Sequence, residues 1–423
     1  MLTFKIQLAL SMTLLIVLLD LYSWQGIKTI FKNRSQSFLA KFRRIYFGVG
    51  LFFILIFASQ FFIPVFETAK LFRVFTSAFV FIIYISKLIF CIFLLVDDLQ
   101  RLIRWIIKKS TTIFSKPLEK KVDPNSKISR AKFISQAGII TSAVPLAMLT
   151  KGIFKGAYDY RVIQVPLYLK NLPSAFEGLK VLQVSDIHSG SFFDKDAVKR
   201  GVEMIKNAKA DLIFFTGDLV NNKTDEAYDY ADIFSAIKAP MGVFSTFGNH
   251  DYGDYMQWDS KEAKQKNLDD LVQVHKDLGW HLMRNENVTI EKDQQRIGLL
   301  GVENWGDRGR FQKFGDIDKA KRGLPDVPVK LLMSHDPSHF DSIISQHHPD
   351  IDATFAGHTH GFQFGIEIGS FKWSPSQYIY PHWAGLYKVG EQQLYVNRGF
   401  GFLGYPGRVG IMPEITVFEL HKG

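Results

Sequence analysis

The sequence predicts an all-α transmembrane region followed by an α/β domain. Three observations carry that expectation. Long apolar runs crowd into the first third of the chain, the net charge divides at the same place, and beyond it short β-branched runs alternate with polar, helix-like stretches. A chain of 423 residues is also longer than the roughly 100–200 typical of one domain. The expected division is residues 1–157 for the membrane region and 158–423 for the second domain.

Apolar runs at residues 6–24, 46–66 and 75–96 are each close to the ~20 residues that cross a bilayer as a helix. Three such runs in succession argue against ordinary buried helices. No small-residue cleavage pattern follows the first, which favours an uncleaved helix over a signal peptide. Lys87 interrupts the third run and must either snorkel or face a neighbouring helix. A fourth run, 133–149, is shorter and contains Pro145; it too is expected to span, giving about four helices.

Residues 1–157 hold 22 Lys+Arg against 6 Asp+Glu, and the remainder holds 51 − 22 = 29 against 41 − 6 = 35. The overall basicity therefore belongs to the first third, and no nucleic-acid partner is expected for the acidic remainder. Residues 25–45 carry six basic residues and no acidic one, and residues 97–132 carry ten against four. The second connection has only Lys70 and Arg73 against Glu67. By the positive-inside rule the first and third connections are cytoplasmic. If 133–149 spans, everything after it lies outside; if it lies on the surface, the second domain is cytosolic. The single cysteine, Cys91, excludes an intramolecular disulfide and a cysteine-based zinc site.

In the second domain five strand-like runs end in a cluster of chemistry-bearing residues. KVLQVSDIH ends at Asp186 and His188, and DLIFFTGD at Asp218. GVFSTFGNHD ends at Asn249, His250 and Asp251, VKLLMSHD reaches His335, and DATFAGHTH ends at His358 and His360. Helix-like stretches at 196–208 and 261–278 lie between some of them. This is the βαβ layout, which places ligands at the carboxyl ends of strands. Gly217, Gly248 and Gly357 stand where the backbone must turn and side chains must approach closely. One histidine at a strand end is ordinarily a structural residue, and one Gly-Asp pair is ordinarily a turn. Five clusters together imply one site built by convergence.

Aspartate and histidine offer hard oxygen and borderline nitrogen donors suited to Mn, Fe or Zn. Asp186 and His188, like His358 and His360, are two residues apart, so an extended backbone would point both members of each pair to one side. Two ions about 3.5–4 Å apart can hold one bridging hydroxide and clamp a phosphate during in-line displacement. Asp218 is the candidate for the carboxylate that both would share.

At these residues the chain resembles the calcineurin-like metallophosphoesterases, whose pattern is D-x-H, GD, GNH[DE], a histidine after a strand, and GHxH. The resemblance covers roughly residues 178–420. It implies a two-sheet β-sandwich flanked by helices, the αββα metallophosphoesterase fold, with a dinuclear centre at the strand ends. It implies Asp186, His188, Asp218 and His360 on one metal ion and Asp218, Asn249, His335 and His358 on the other. His250 would stabilise the transferring phosphoryl group or protonate the leaving oxygen, and Asp251 would orient its ring. The resemblance narrows to membrane-attached bacterial phosphodiesterase-like proteins, with NRGFG at 397–401 and AGLY at 384–387. That subgroup often shows GHTHGG, whereas Phe362 fills the last position here. A multi-pass protein of the bacterial inner membrane follows, with its catalytic domain on the extracytoplasmic side.

Residues 362–402 are rich in aromatic side chains, among them Phe371, Trp373, Tyr378, Tyr380 and Trp383. They either line an apolar groove for a lipid phosphoester or pyrophosphate, or pack the core and form an interfacial belt. Arg398 is expected to bind substrate by gripping a phosphate oxygen, the alternative being an ion pair with an acid. The function expected is therefore a membrane-anchored, dinuclear phosphoesterase acting on a phosphodiester, with lipid or envelope phosphoesters as candidate substrates. A phosphomonoesterase or nucleotidase is the runner-up, and a non-catalytic membrane scaffold or sensor the third reading.

Overall fold

The computed structural model describes residues 2–63, 69–111, 130–309 and 311–423. The end of the run 46–66, Glu67, and residues 112–129 of the basic third connection lie outside them. The chain divides into two units, Met1–Lys151 and Gly152–Gly423.

The first unit is built from helices α1 (Leu2–Ile30), α2 (Gln36–Phe62), α3 (Lys70–Thr111) and α4 (Arg130–Phe154), the last running on into the second unit. Each contains a stretch long and apolar enough to cross a membrane. The helices outrun the apolar runs because polar flanks hold helical backbone equally well. The 42 residues of α3 rise about 63 Å, roughly twice the hydrocarbon thickness. Ser35 caps α2, its hydroxyl accepting from the Phe38 amide at 3.2 Å. Lys87 does not snorkel. Its ammonium meets the Asp20 carboxylate of α1, to which the hydroxyls of Tyr84 and Tyr46 also donate, at 3.2 and 3.4 Å. Both tyrosine rings lie within 4.8 Å of the ammonium. A charge in an apolar helix is tolerated when so paired.

The second unit contains two six-stranded sheets. In the first, the order is β1 (Arg161–Leu169), β14 (Glu414–Lys422), β2 (Lys180–Val184), β3 (Leu212–Phe215), β4 (Val243–Ser245) and β5 (His281–Leu282). In the second it is β12 (Gly385–Val389), β13 (Gln392–Val396), β9 (Ala353–Ala356), β8 (Lys330–Met333), β7 (Gln295–Gly301) and β6 (Glu286–Lys292). The strands β2, β3, β4 and β5 run parallel in one sheet, and β7, β8, β9 and β13 in the other. A separate two-stranded ribbon pairs β10 (Ile366–Ile368) with β11 (Phe371–Trp373).

Alternation along the strands builds three apolar layers. Leu212 and Phe214 of β3 point inward to meet Leu331 and Phe355 of the opposite sheet. Ile213 and Phe215 point outward to Val198, Val202 and Ile205 of α5 (Lys195–Asn207) and Leu271 of α6 (Lys261–Asp277). On the other outer face Leu300, Leu332 and Val396 meet Phe340 and Ile344. Strands buried on both faces read as continuous apolar runs, which is why they were visible in the sequence. The result is a two-sheet sandwich with helices on its outer faces.

Candidate metal centre

Strands β2, β3, β4, β8 and β9 all deliver their carboxyl ends to one place, and the five sequence clusters meet there. Asp186, His188 and His360 bring ligand atoms within 4.8 Å of one another, and Asp218, His335 and His358 form a second such group. In the first, His188 Nε2 faces His360 Nε2 at 3.0 Å, and His360 Nε2 lies 3.2 Å from Asp186 Oδ1. In the second, His358 Nδ1 lies 3.3 Å from His335 Nε2, and Asn249 Oδ1 lies 2.8 and 3.2 Å from these two nitrogens. Asp218 Oδ2 stands between the groups, 3.5 Å from His188 Nε2 and 3.2 Å from His335 Nε2. Ligands about 2.1 Å from a common ion are separated by roughly 3.0–3.4 Å, so these spacings suit two ions sharing one carboxylate oxygen.

The chemistry of the donors supports the same fit. His335 Nδ1 donates to the Thr216 carbonyl at 2.7 Å, and His188 Nδ1 to Asn221 Oδ1 at 3.1 Å. With Nδ1–H so engaged, each ring turns Nε2 toward a carboxylate, where it can take a metal ion or, at His335, a proton. Buried lone pairs facing lone pairs repel unless a cation lies between them. The field is strongly negative here. Burial alone would push His335 down, yet Asp218, Asp186 and the Thr216 carbonyl lift it to about 10. Burial opposes ionisation of Asp218, but His335 and His250 hold it well below the carboxylate range. Burial keeps His188 neutral, far below its ordinary value.

The backbone achieves convergence in a way the expected extended geometry did not anticipate. Asp186, His188, Asp218, His358 and His360 all have φ between 49 and 70°. Between the last two, Thr359 returns to the right-handed region at φ −75°. Alternating hand, rather than strand pleat, aims each pair. Five non-glycine residues in the left-handed region mark a strained site that its surroundings must hold. Thr359 anchors this turn, its hydroxyl donating to the Trp383 carbonyl at 2.7 Å. Gly248 is required by close approach, because a Cβ there would strike the Asp218 carboxylate. Gly399 of NRGFG, at φ +82°, backs onto Asp186 and His360.

Two expected roles are corrected. Asp251 does not orient His250. Its carboxylate accepts the amides of Gly248, Asp218, Leu219 and Val220 at 2.8–3.3 Å, tying the β3 and β4 loops together. Burial and the neighbouring Asp218 push it up to about 7, against the pull of those amides. His250 is instead held by Asn221, whose carbonyl accepts from Nδ1 at 2.7 Å. Asp251→Ala strands four buried amides and is expected to destabilise the domain by about 3 kcal/mol or more, read by thermal unfolding. Arg398 does not reach the centre either. Its guanidinium is paired with Glu414 and, at 2.6 Å, with Glu367, in a separate cavity. The buried Glu414 and the half-buried Glu367 hold it away from the metal centre.

Asn221, Tyr255 and Tyr380 lie in no motif that marks them as partners of the site, although Tyr380 belongs to the aromatic-rich stretch. Tyr380 OH meets His358 Nε2 at 2.8 Å, and Asn249 Nδ2 donates to Tyr255 OH at 2.7 Å. Arg408, fully buried, approaches His360 Nδ1 at 3.1 Å. Above the centre opens a cavity of about 620 Å³ whose floor includes His188, Asp218 and His250. Its walls are mostly apolar, with Phe311, Phe362, Ile379, Leu403 and Tyr405, and Arg308 is a cation on its lining.

Comparison with known proteins agrees with this geometry. The family profile described as "Calcineurin-like phosphoesterase" matches residues 179–362, and "Probable Calcineurin-like phosphoesterase, transmembrane domain" matches residues 6–157. A transmembrane protein with metallophosphoesterase domain from Danio rerio is 26% identical over 293 residues, 67% of this chain and 62% of that protein. The chain thus spans less than two thirds of that relative. The metallophosphoesterase YkuE of Bacillus subtilis is 28% identical over 311 residues, 70% of this chain and 98% of its own length. UDP-2,3-diacylglucosamine pyrophosphatase LpxG of Chlamydia trachomatis is 26% identical over 278 residues, 55% of this chain and 81% of that enzyme. The chain thus joins a calcineurin-like phosphoesterase domain, matched over residues 179–362, to a calcineurin-like phosphoesterase transmembrane domain, matched over residues 6–157.

Proposed function

We propose that the protein is a membrane-anchored phosphoesterase using two divalent ions, Mn, Fe or Zn, to hydrolyse a phosphodiester that carries an apolar substituent. The observation that carries this reading is Asp218 Oδ2 shared between two buried donor groups at the floor of a largely apolar cavity. Asp186, His188, Asp218 and His360 would hold one ion, and Asp218, Asn249, His335 and His358 the other. Such a pair supplies Lewis acidity and an activated water for in-line displacement.

The chain's own residues do the rest. The His250 amide donates to Asp218 Oδ1 at 2.8 Å, fixing the shared carboxylate so that Oδ2 alone faces both groups. With Nδ1 committed to Asn221, the His250 ring presents Nε2 for the leaving oxygen. Tyr255, its ring 4.4 Å from that of His250, limits where the imidazole can turn. The apolar walls exclude water and accept a hydrocarbon group. The relative named for a diacylglucosamine pyrophosphatase makes an acylated phosphoester or phosphoanhydride a natural first substrate class. The basic connections would place the catalytic unit outside the cytoplasm of a bacterial inner membrane, which a C-terminal compartment reporter tests.

The decisive experiment is a hydrolysis screen on purified full chain with Mn²⁺, comparing lipid phosphoesters, nucleotides and generic diesters. Hydrolysis confined to monoesters, or none with metal bound, would overturn the proposal. Phe362 allows a finer test. It is half exposed at φ +52°, where glycine is unstrained and a side chain costs about 1 kcal/mol. Phe362→Gly is expected to leave stability level or raise it slightly, while KM for an acylated substrate rises and KM for a short diester stays put.

A further inference from the structure

The ribbon β10–β11 lies beyond residue 362, where the phosphoesterase match ends, and its alternation is inside out. Directly opposed residues of an antiparallel pair share a face. Ile366 opposes Trp373 and Ile368 opposes Phe371, so all four point one way. Glu367 opposes Lys372 on the other face. In an ordinary ribbon the apolar face is buried and the charged one is wet. Here Glu367 turns toward the chain and pairs with Arg398 at 2.6 Å, whereas Ile366, Ile368 and Phe371 are 43, 73 and 59% exposed.

The exposure continues around the ribbon. Tyr378 is 75% exposed, Ile379 45% and Phe362 48%, and the last two also line the cavity over the metal centre. Between Phe362 and Val389 lie nine of the sixteen exposed large hydrophobics among the described residues of 152–423, so these side chains are concentrated rather than scattered. A patch of this kind on a folded domain marks something that covers it. The composition selects the partner: branched aliphatics at the tip, and Trp373 donating to Tyr378 OH at 3.4 Å behind them. Aliphatics in hydrocarbon with tryptophan and tyrosine at headgroup level is the arrangement of an interfacial anchor. The same chain carries four apolar helices long enough to span, so a bilayer is always within reach at high effective concentration.

We infer that the apolar face of the β10–β11 ribbon inserts into the surface of a lipid bilayer, setting the mouth of the cavity against the membrane. An amphiphilic phosphoester then enters from the lipid side without crossing water. The anchoring does not depend on the chemistry of the metal centre.

The test uses full chain with Cys91→Ser reconstituted into phosphatidylcholine–phosphatidylglycerol vesicles, spin-labelled at Ile368→Cys, at Phe371→Cys, or at Glu291→Cys on β6 as an exposed control. Dissolved oxygen partitions into lipid, and a water-soluble nickel chelate does not. The ratio of oxygen to nickel collisions is expected to be severalfold higher at 368 and 371 than at 291. Equal ratios, or shielding of 368 from both reagents as in a protein–protein contact, overturn the proposal. Ile368→Asp/Phe371→Asp is further expected to slow hydrolysis of a vesicle-embedded phosphoester severalfold and leave a water-soluble diester unaffected. Absence of any hydrolysis would count against the proposed function, while the collision ratios would still decide the anchor.

Discussion

Asp218→Ala is expected to lower phosphodiester hydrolysis about 10³-fold and to remove both ions from the purified chain. The carboxylate is almost fully buried, and one oxygen faces a nitrogen of each donor group, at 3.5 and 3.2 Å. In the proposed two-ion arrangement, deleting it would take a ligand from each ion and the negative charge that holds them together. Losing several kcal/mol of charge stabilisation in the transition state corresponds to about that factor. Metal content per chain by mass spectrometry gives the second readout. Asp218→Asn keeps the shape and loses the charge, so its metal content should fall between the two. A variant that retained two ions per chain and a rate within tenfold of the parent would rule out Asp218 as the shared ligand of the proposed pair.

His250→Ala is expected to lower kcat about 10²–10⁴-fold with metal content unchanged. His250 lies in neither donor group, although its ring centre is only 5.0 Å from that of His188. A group that protonates the leaving oxygen matters least when that oxygen leaves readily. The loss should therefore be much smaller for a nitrophenyl ester than for an alkyl ester. Equal losses on both would assign His250 to phosphoryl binding instead. Asn221 acts through its backbone carbonyl on His250, so Asn221→Ala should spare that contact while removing the His188 Nδ1 partner and the bonds to the Ser191 hydroxyl, costing about 10–100-fold in metal affinity.

Much of this architecture is readable along the chain because its causes are local. Apolar runs of membrane length, β-branched strands buried on both faces and polar clusters at strand ends are properties of consecutive residues. Helices α5 and α6 lie where polar, periodic stretches stand at 196–208 and 261–278. The partner of each side chain is a different matter. Asp251 follows His250 directly, yet its oxygens reach back 31–33 residues to the amides of the β3 loop. Arg398 has the right chemistry for a phosphate, but its neighbours after folding are Glu367 and Glu414.

By itself, then, the sequence marked the polar clusters that end five strands and the apolar region of membrane-spanning length that precedes them. How they divide was implied by the resemblance and not by the residues themselves; its physical cause lies in the tertiary structure, which sets His360 beside Asp186 and His188, and His358 beside Asp218 and His335, although only one residue separates the two rings. Asn249 and His358 meet across 109 positions, and His188 and His360 across 172. Which lone pair faces which is set by left-handed turns and by loops packed from opposite sheets. Those contacts exist only in three dimensions, where closing long stretches of chain brings together groups that no periodic pattern records.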